Sequence, residues 1–264
     1  MRIAAVAAAV LLGLFPAAAS AQSAPDPIPV EEWSTDKVSA LGQAIYRQDG
    51  AAWVATDAVM ALWANAGPPP GMAGWIVVEE GEHQRVRFLR RDGGNLKAAF
   101  DVVVRDGRAG PVEIVEDGVL SVEEKASFLA RQTAISNIGR LRCSEALNTV
   151  VLKSPDSDSW LVWLLTATTE AGIVPMGGHY RFRISADGST VERRDMLSNS
   201  CLNMARPQES KEDEPEALFV TQIVSQGPVE THVFLSLQLR LPIYVMAGEK
   251  IFSVSGADIR TVER

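Results

Sequence analysis

The stretch 177–190, GGHYRFRISADGST, decides how this chain is read. Side chains alternate across a strand, so His179, Arg181 and Arg183 share one face while Tyr180, Phe182 and Ile184 share the other. Asp187-Gly188 then turns the chain back as a hairpin. A similar run stands earlier. Trp75-Ile76-Val77, a connection, His83-Gln84-Arg85-Val86-Arg87 and Asp92-Gly93 match Trp160-Leu161-Val162, a longer connection, His179-Tyr180-Arg181-Phe182-Arg183 and Asp187-Gly188. Each run has a helical pattern before it and a returning strand after it.

The reading that follows is an α+β fold: two related helix-plus-antiparallel-sheet units followed by a C-terminal all-β segment. The first unit spans residues 35–120. Its helix begins at Ser34 or Thr35, carries Val38, Leu41, Ile45 and Tyr46 on one side, and is expected to stop at Asp49-Gly50. Residues 51–64 fit either a strand or a second helix. The second unit, 121–204, opens with a helix read over 121–143, where Ser121 and Glu124 form a capping-box pattern. Within it, WLVWLLTATT from Trp160 is apolar enough for a strand buried on both faces. Residues 205–216 are a charged loop without periodicity. The tail, 217–264, reads as strands throughout, THVFLSLQLRLPIYVM included, with His232 as a structural residue on one of them.

Outward from this frame, the start of the chain has the pattern of a secretory signal peptide over 1–21. Arg2 precedes an uncharged apolar run, and Ala19-Ser20-Ala21 offers a cleavage site before Gln22. Residues 22–34 form a proline-punctuated extended lead-in. No later segment is long and apolar enough to span a bilayer, so no integral membrane segment is expected after cleavage and the protein is expected in the periplasm or outside the cell. There Cys143 and Cys201, the only cysteines, are expected to form a disulfide. Closing a loop of about 60 residues contributes about 4 kcal/mol in the chain-entropy account. A thiol-exchange role lacks the C-x-x-C pair that such chemistry uses.

The formal net charge of −8 argues against nucleic acid and anionic lipid surfaces as partners. The H-x-R-x-R faces are the exception, and His83, Arg85, Arg87, His179, Arg181 and Arg183 are the candidate binding residues. Arginine forks suit carboxylate and phosphate, so an anionic ligand or an acidic protein segment would suit the strip, and Gly177-Gly178 would allow a close backbone approach. The competing reading is a solvated sheet face balanced by acids such as Glu79, Glu80, Glu82 and Glu192.

Catalytic patterns are missing. His83, His179 and His232 form no H-E-x-x-H or other close pair, and no metal or cofactor is expected. There is no G-x-S-x-G elbow, phosphate loop or dinucleotide fingerprint. Asp156 and Asp158 sit in a turn, and the tryptophans read mostly as core. Helix-then-strands ending in ADGSTV is loosely similar to small periplasmic PepSY domains, on a D-G turn alone, and that likeness implies no activity. The balance favours a non-catalytic binding or envelope-interaction module. The alternative is a hydrolase or other enzyme acting on cell-envelope material, with its site near His179.

Overall fold

The computed structural model describes residues 29–63, 67–168, 170–207 and 217–263. The signal peptide reading and most of the charged loop, 208–216, lie outside them. The fold is α+β, with three helices and four sheets among the described residues.

Helix α1, Thr35–Trp63, runs unbroken through Asp49-Gly50 and over 51–63. The expected stop is overridden by packing. Beyond Gly50 the helix buries Ala51, Ala55 and Val59 on Val86, Phe88, Val102 and Val104, and that contact outweighs the ~1 kcal/mol by which a mid-helix glycine trails alanine. Those partners belong to an antiparallel meander of β1 (Met72–Glu80), β2 (His83–Asp92), β3 (Asn95–Arg105) and β4 (Arg108–Ile114). The first half of α1 belongs to another core. There Val38, Leu41 and Ile45 meet Leu161, Trp163 and Val233.

Helix α2, Val122–Ser136, starts at the expected capping box of Ser121 and Glu124. It ends well before Cys143, because Asn137 leaves the helical region and its Nδ2 donates to the Thr133 carbonyl at 2.8 Å. The second antiparallel sheet has the order β5-β6-β8-β9, from β5 (Leu147–Lys153), β6 (Trp160–Thr166), β8 (Tyr180–Ile184) and β9 (Val191–Met196). β6 is buried at every position, as its composition implies. Short strands β7 (Ile173–Pro175) and β10 (Asn203–Ala205) pair beside it.

The tail is not all strand. Residues Glu230–Leu239 form helix α3, between β11 (Leu218–Gln222) and β12 (Ile243–Ala247), which pair in parallel. β13 (Lys250–Ser255) and β14 (Asp258–Val262) complete that sheet in antiparallel fashion. A parallel pair needs a crossover, and α3 is that crossover. Its sequence hides the helix because nearly every side is buried, Glu230, Thr231 and His232 included. A helix buried all round shows no amphipathic period. Arg240, in the left-handed region at φ 58°, ends it.

Helix α2 packs between the first two sheets. Ala126, Ala130 and Ala134 lie on Val162, Tyr180 and Phe182 of one, and Phe128 lies with Ile76 and Leu89 of the other. The lead-in is fastened too, since Val30 is buried and its N–H donates to the Val224 carbonyl at 3.0 Å. Cys143 and Cys201 are joined as a disulfide.

Candidate functional site

The alternation read from the sequence is correct, but the arginine faces are not solvent surface. Tyr180, Phe182 and Ile184 face α2. On the other side of β8, Arg181 is only 3% exposed, under α3 and the lead-in. Arg181 Nε and Nη2 donate to Asp195 Oδ2 at 3.1 and 2.7 Å. Nη1 donates to both Glu230 oxygens at 3.2 and 3.1 Å, and Nη2 also to the Glu31 carbonyl at 2.7 Å. The indole of Trp33 lies 3.7 Å from the guanidinium carbon, a favourable cation–π distance. Every donor of the fork is used inside the protein. Trp163 Nε1 adds a bond to Glu230 at 2.7 Å, and Arg193 one to Asp195 at 2.8 Å. Arg183, half-buried, pairs with Glu31 at 2.5 Å.

His179 is buried, and both its ring nitrogens are occupied. Nδ1 accepts from the Thr166 N–H, and Nε2 bonds the Pro175 carbonyl, each at 3.0 Å. Burial pulls its pKa down to about 4, so the ring is neutral and locked. A histidine so held has no nitrogen free for proton transfer. Gly177 and Gly178 do serve close approach, but to the protein itself. A Cβ at Gly177 would stand 2.3 Å from the Ser200 carbonyl, and one at Gly178 would stand 2.3 Å from Cys143 Sγ. His232 lies on α3, where Nδ1 accepts the Val229 N–H at 3.0 Å, and burial brings its pKa to about 3.

α2 meets the first strip only at Arg87, while Arg85 and His83 stay partly exposed. Arg87 forks onto Asp101 at 3.0 Å through both Nε and Nη2, and reaches Glu124 at 2.7 Å through Nη1. Arg85 pairs with Glu80, which also holds His83 Nε2 at 3.1 Å. The six strip residues therefore occupy two separate places, and their charges are answered within the chain.

A larger cleft lies elsewhere. A cavity of about 660 Å³ opens between α1, the Gly81-Glu82 and Asp106-Gly107 turns and the end of α3. His83 lines it, the one strip residue that does. On α1, Tyr46, Asp49, Gly50 and Trp53 form one stripe along this wall. Gly50 leaves open space, with nothing within 4 Å of where its Cβ would be. Trp53, expected in the core, is 68% exposed. Asp49 is half-buried, and its side chain has no hydrogen bond or ion pair among the described residues. Burial alone pushes its carboxyl up to about 6. Across the cleft, Arg240 occupies a left-handed helix terminus that glycine would take with less strain. An unpaired, desolvated acid beside an open indole makes this cleft the candidate site.

The sequence carried one signal for this site that went unused: an aspartate next to a glycine inside a helical pattern, with aromatic residues three before and four after it. Read as a helix end, Asp49-Gly50 could not be read as a wall. Among the described residues no cluster of histidine, cysteine and acidic side chains could hold a metal ion. Comparison with protein-family models, with curated proteins and with solved structures finds no match for this chain.

Proposed function

We propose that this chain is an exported, non-catalytic binding module and that its ligand seats a positively charged group in the cleft at Asp49. The observation carrying this reading is the Asp49 carboxyl, half-buried and unpartnered on the wall of a cavity of about 660 Å³. A cation entering there gains an ion pair in a partly dehydrated setting and a face of Trp53 to stack on. Glu79, Glu82 and Asp106 also line the cleft, against Arg47 and Arg240, so its charge leans negative. No helix among the described residues is long and apolar enough to cross a membrane. The disulfide accords with an oxidising compartment. The disulfide and the leader-like pattern of residues 1–21 are what support export.

The test is calorimetric titration of the oxidised protein with L-argininamide and spermidine, against malonate and phosphate as anionic controls. Cations are expected to bind and anions not, and Asp49→Asn is expected to weaken cation binding about tenfold or more. The variant is expected to be at least as stable as the parent at neutral pH, and its melting curve separates lost affinity from unfolding. Equal binding of anions, or affinity unmoved by Asp49→Asn and Trp53→Ala, refutes the reading.

We also infer that the two helix-and-sheet units descend from one. Arg87 meets Asp101 directly opposite on the next strand, fourteen residues on, and Arg181 meets Asp195 in the same way. Each arginine is then met by a glutamate in the first turn of the following helix, Glu124 or Glu230. A shared ancestor accounts for the same three-part clamp on matching strands. Shared ancestry says nothing about the ligand.

A further inference from the structure

β1 and β5 are edge strands of different sheets, and they line the same cleft of about 380 Å³ through Val77, Val78 and Glu79 on one side and Val151, Leu152 and Lys153 on the other. α1 and α2 both touch both strands. Gln48 of α1 and Ser127 of α2 complete the walls.

The direction of the backbone groups follows from the pairing. The two-residue turn Gly81-Glu82 closes on Glu80 and His83, a hydrogen-bonded pair in such hairpins. Ile76, Val78 and Glu80 therefore bond to β2, and the N–H and C=O of Trp75, Val77 and Glu79 point outward. Arg131 Nη1 donates to the outward Trp75 carbonyl at 3.0 Å, in agreement. In β5 the Ser154 N–H bonds the Ser159 carbonyl and the Ala167 N–H the Ala146 carbonyl. Even-numbered residues there bond to β6, and those of Thr149, Val151 and Lys153 point outward. The outward Val151 N–H is taken by Gln48 Oε1 at 2.8 Å.

A side chain thus takes one outward group on each edge. Further out, the outward groups of Val77, Glu79 and Lys153 have no partner among the described residues. At the inner end, Arg131 Nε and Thr149 Oγ1 are also buried without partners, facing an adjoining void of about 10 Å³, which is room for about one water. An edge strand left open is normally blunted or covered, and here two such edges share one cleft.

We propose that this cleft receives a short extended peptide segment of a partner protein, which adds as a strand between β1 and β5. Backbone donors and acceptors on both walls, two residues apart, match an extended main chain. Among the exposed charges of the lining, Glu79 and Glu123 outnumber Lys153, which favours a basic residue in the segment. This cleft meets the Asp49 cleft at Glu79 but takes a different ligand, and the proposal stands or falls without cation binding at Asp49.

The experiment is amide NMR of the ¹⁵N-labelled oxidised protein with a library of capped hexapeptides that alternate β-branched and basic residues. Bound members are expected to move the amides of Val77, Glu79 and Lys153 and to slow their hydrogen exchange. N-methylation at any interior peptide residue should weaken binding about tenfold, because successive N–H groups point alternately to β1 and to β5. Val77→Pro removes one outward donor at a position where an edge strand tolerates proline, and Ser127→Phe fills the cleft from α2. Whichever of these folds is expected to lose the peptide. The proposal is overturned if no library member moves those amides, if affinity ignores N-methylation, or if a folded variant binds as well as the parent.

Discussion

Replacing Asp49 by asparagine should make the protein more stable, by an amount that depends on pH in a calculable way. The carboxyl has an ordinary value of 3.8 and is pushed to about 6 in the folded state. The folded protein therefore holds the proton more tightly than the unfolded chain. Stability from the neutral form is present at low pH and is lost as pH rises through about 4 to 6. At 1.36 kcal/mol per pH unit, the loss is about 3 kcal/mol at neutral pH and about half of that at pH 5. Asparagine keeps the shape and has no charge to desolvate. Asp49→Asn should then gain about 2–3 kcal/mol at pH 7.5, a rise in Tm of about 5–10 °C for a chain of this size, and nothing at pH 3.5. Urea unfolding followed by circular dichroism at a series of pH values, with the disulfide intact, measures the difference directly. Equal stabilities at pH 7.5, or a difference that persists at pH 3.5, would show that Asp49 is solvated and that the argument from its burial is wrong.

Other consequences follow from particular contacts. Two glycines of α1 should respond oppositely to alanine. At Gly42 a Cβ would lie 2.4 Å from Val233 Cβ, so Gly42→Ala forces α1 from α3 and should cost about 1–3 kcal/mol. Gly50→Ala meets nothing and should gain about 0.5–1 kcal/mol. His179 and His232 have folded pKa values of about 4 and about 3, below their ordinary 6.5. Their contribution is complete above pH 6.5 and is lost as pH falls, about 2 kcal/mol each by pH 5. Acid unfolding should accordingly begin below pH 6, and a stability curve flat down to pH 4 would contradict the burial of both rings. Arg181→Ala leaves Asp195 and Glu230 buried without their cation and should cost about 3–5 kcal/mol in denaturant unfolding. Reducing the Cys143–Cys201 bridge should cost about 2–4 kcal/mol, seen as a lower Tm with dithiothreitol than without.

Much of the fold was legible, and the errors share a cause. Local alternation correctly put Val86 and Phe88 against α1 and Tyr180, Phe182 and Ile184 against α2. The capping box at Ser121 and the buried strand β6 also stand where the pattern puts them. Alternation reports which side chains share a face, and it cannot report what covers that face. Arg181 was on the polar side of β8, but the lead-in and α3 lie over that side, brought there from 150 positions before and 49 after it in the chain. α3 was missed because apolar residues surround it, which leaves neither a strand period nor a helix period to decide between them. The Asp49 cleft was missed for the converse reason. Its floor is a glycine, its acid looked like a helix stop, and Trp53 looked like core, so each residue had an ordinary local explanation. Only the run of α1 past Gly50, fixed by packing on β2 and β3, sets the three along one wall.

The central claim is that ligands meet this protein at the Asp49 cleft and not along the arginine strands. Amide NMR shift mapping of the labelled oxidised protein, titrated separately with L-argininamide and with phosphate, tests it most directly. The account predicts that the cation moves resonances of Tyr46 to Val54, of the Gly81-Glu82 and Asp106-Gly107 turns, and of Gln238 and Arg240, while phosphate moves none of them. Shifts by phosphate centred on Arg181, Arg183, Arg85 or Arg87, with the cleft unmoved by the cation, would contradict it.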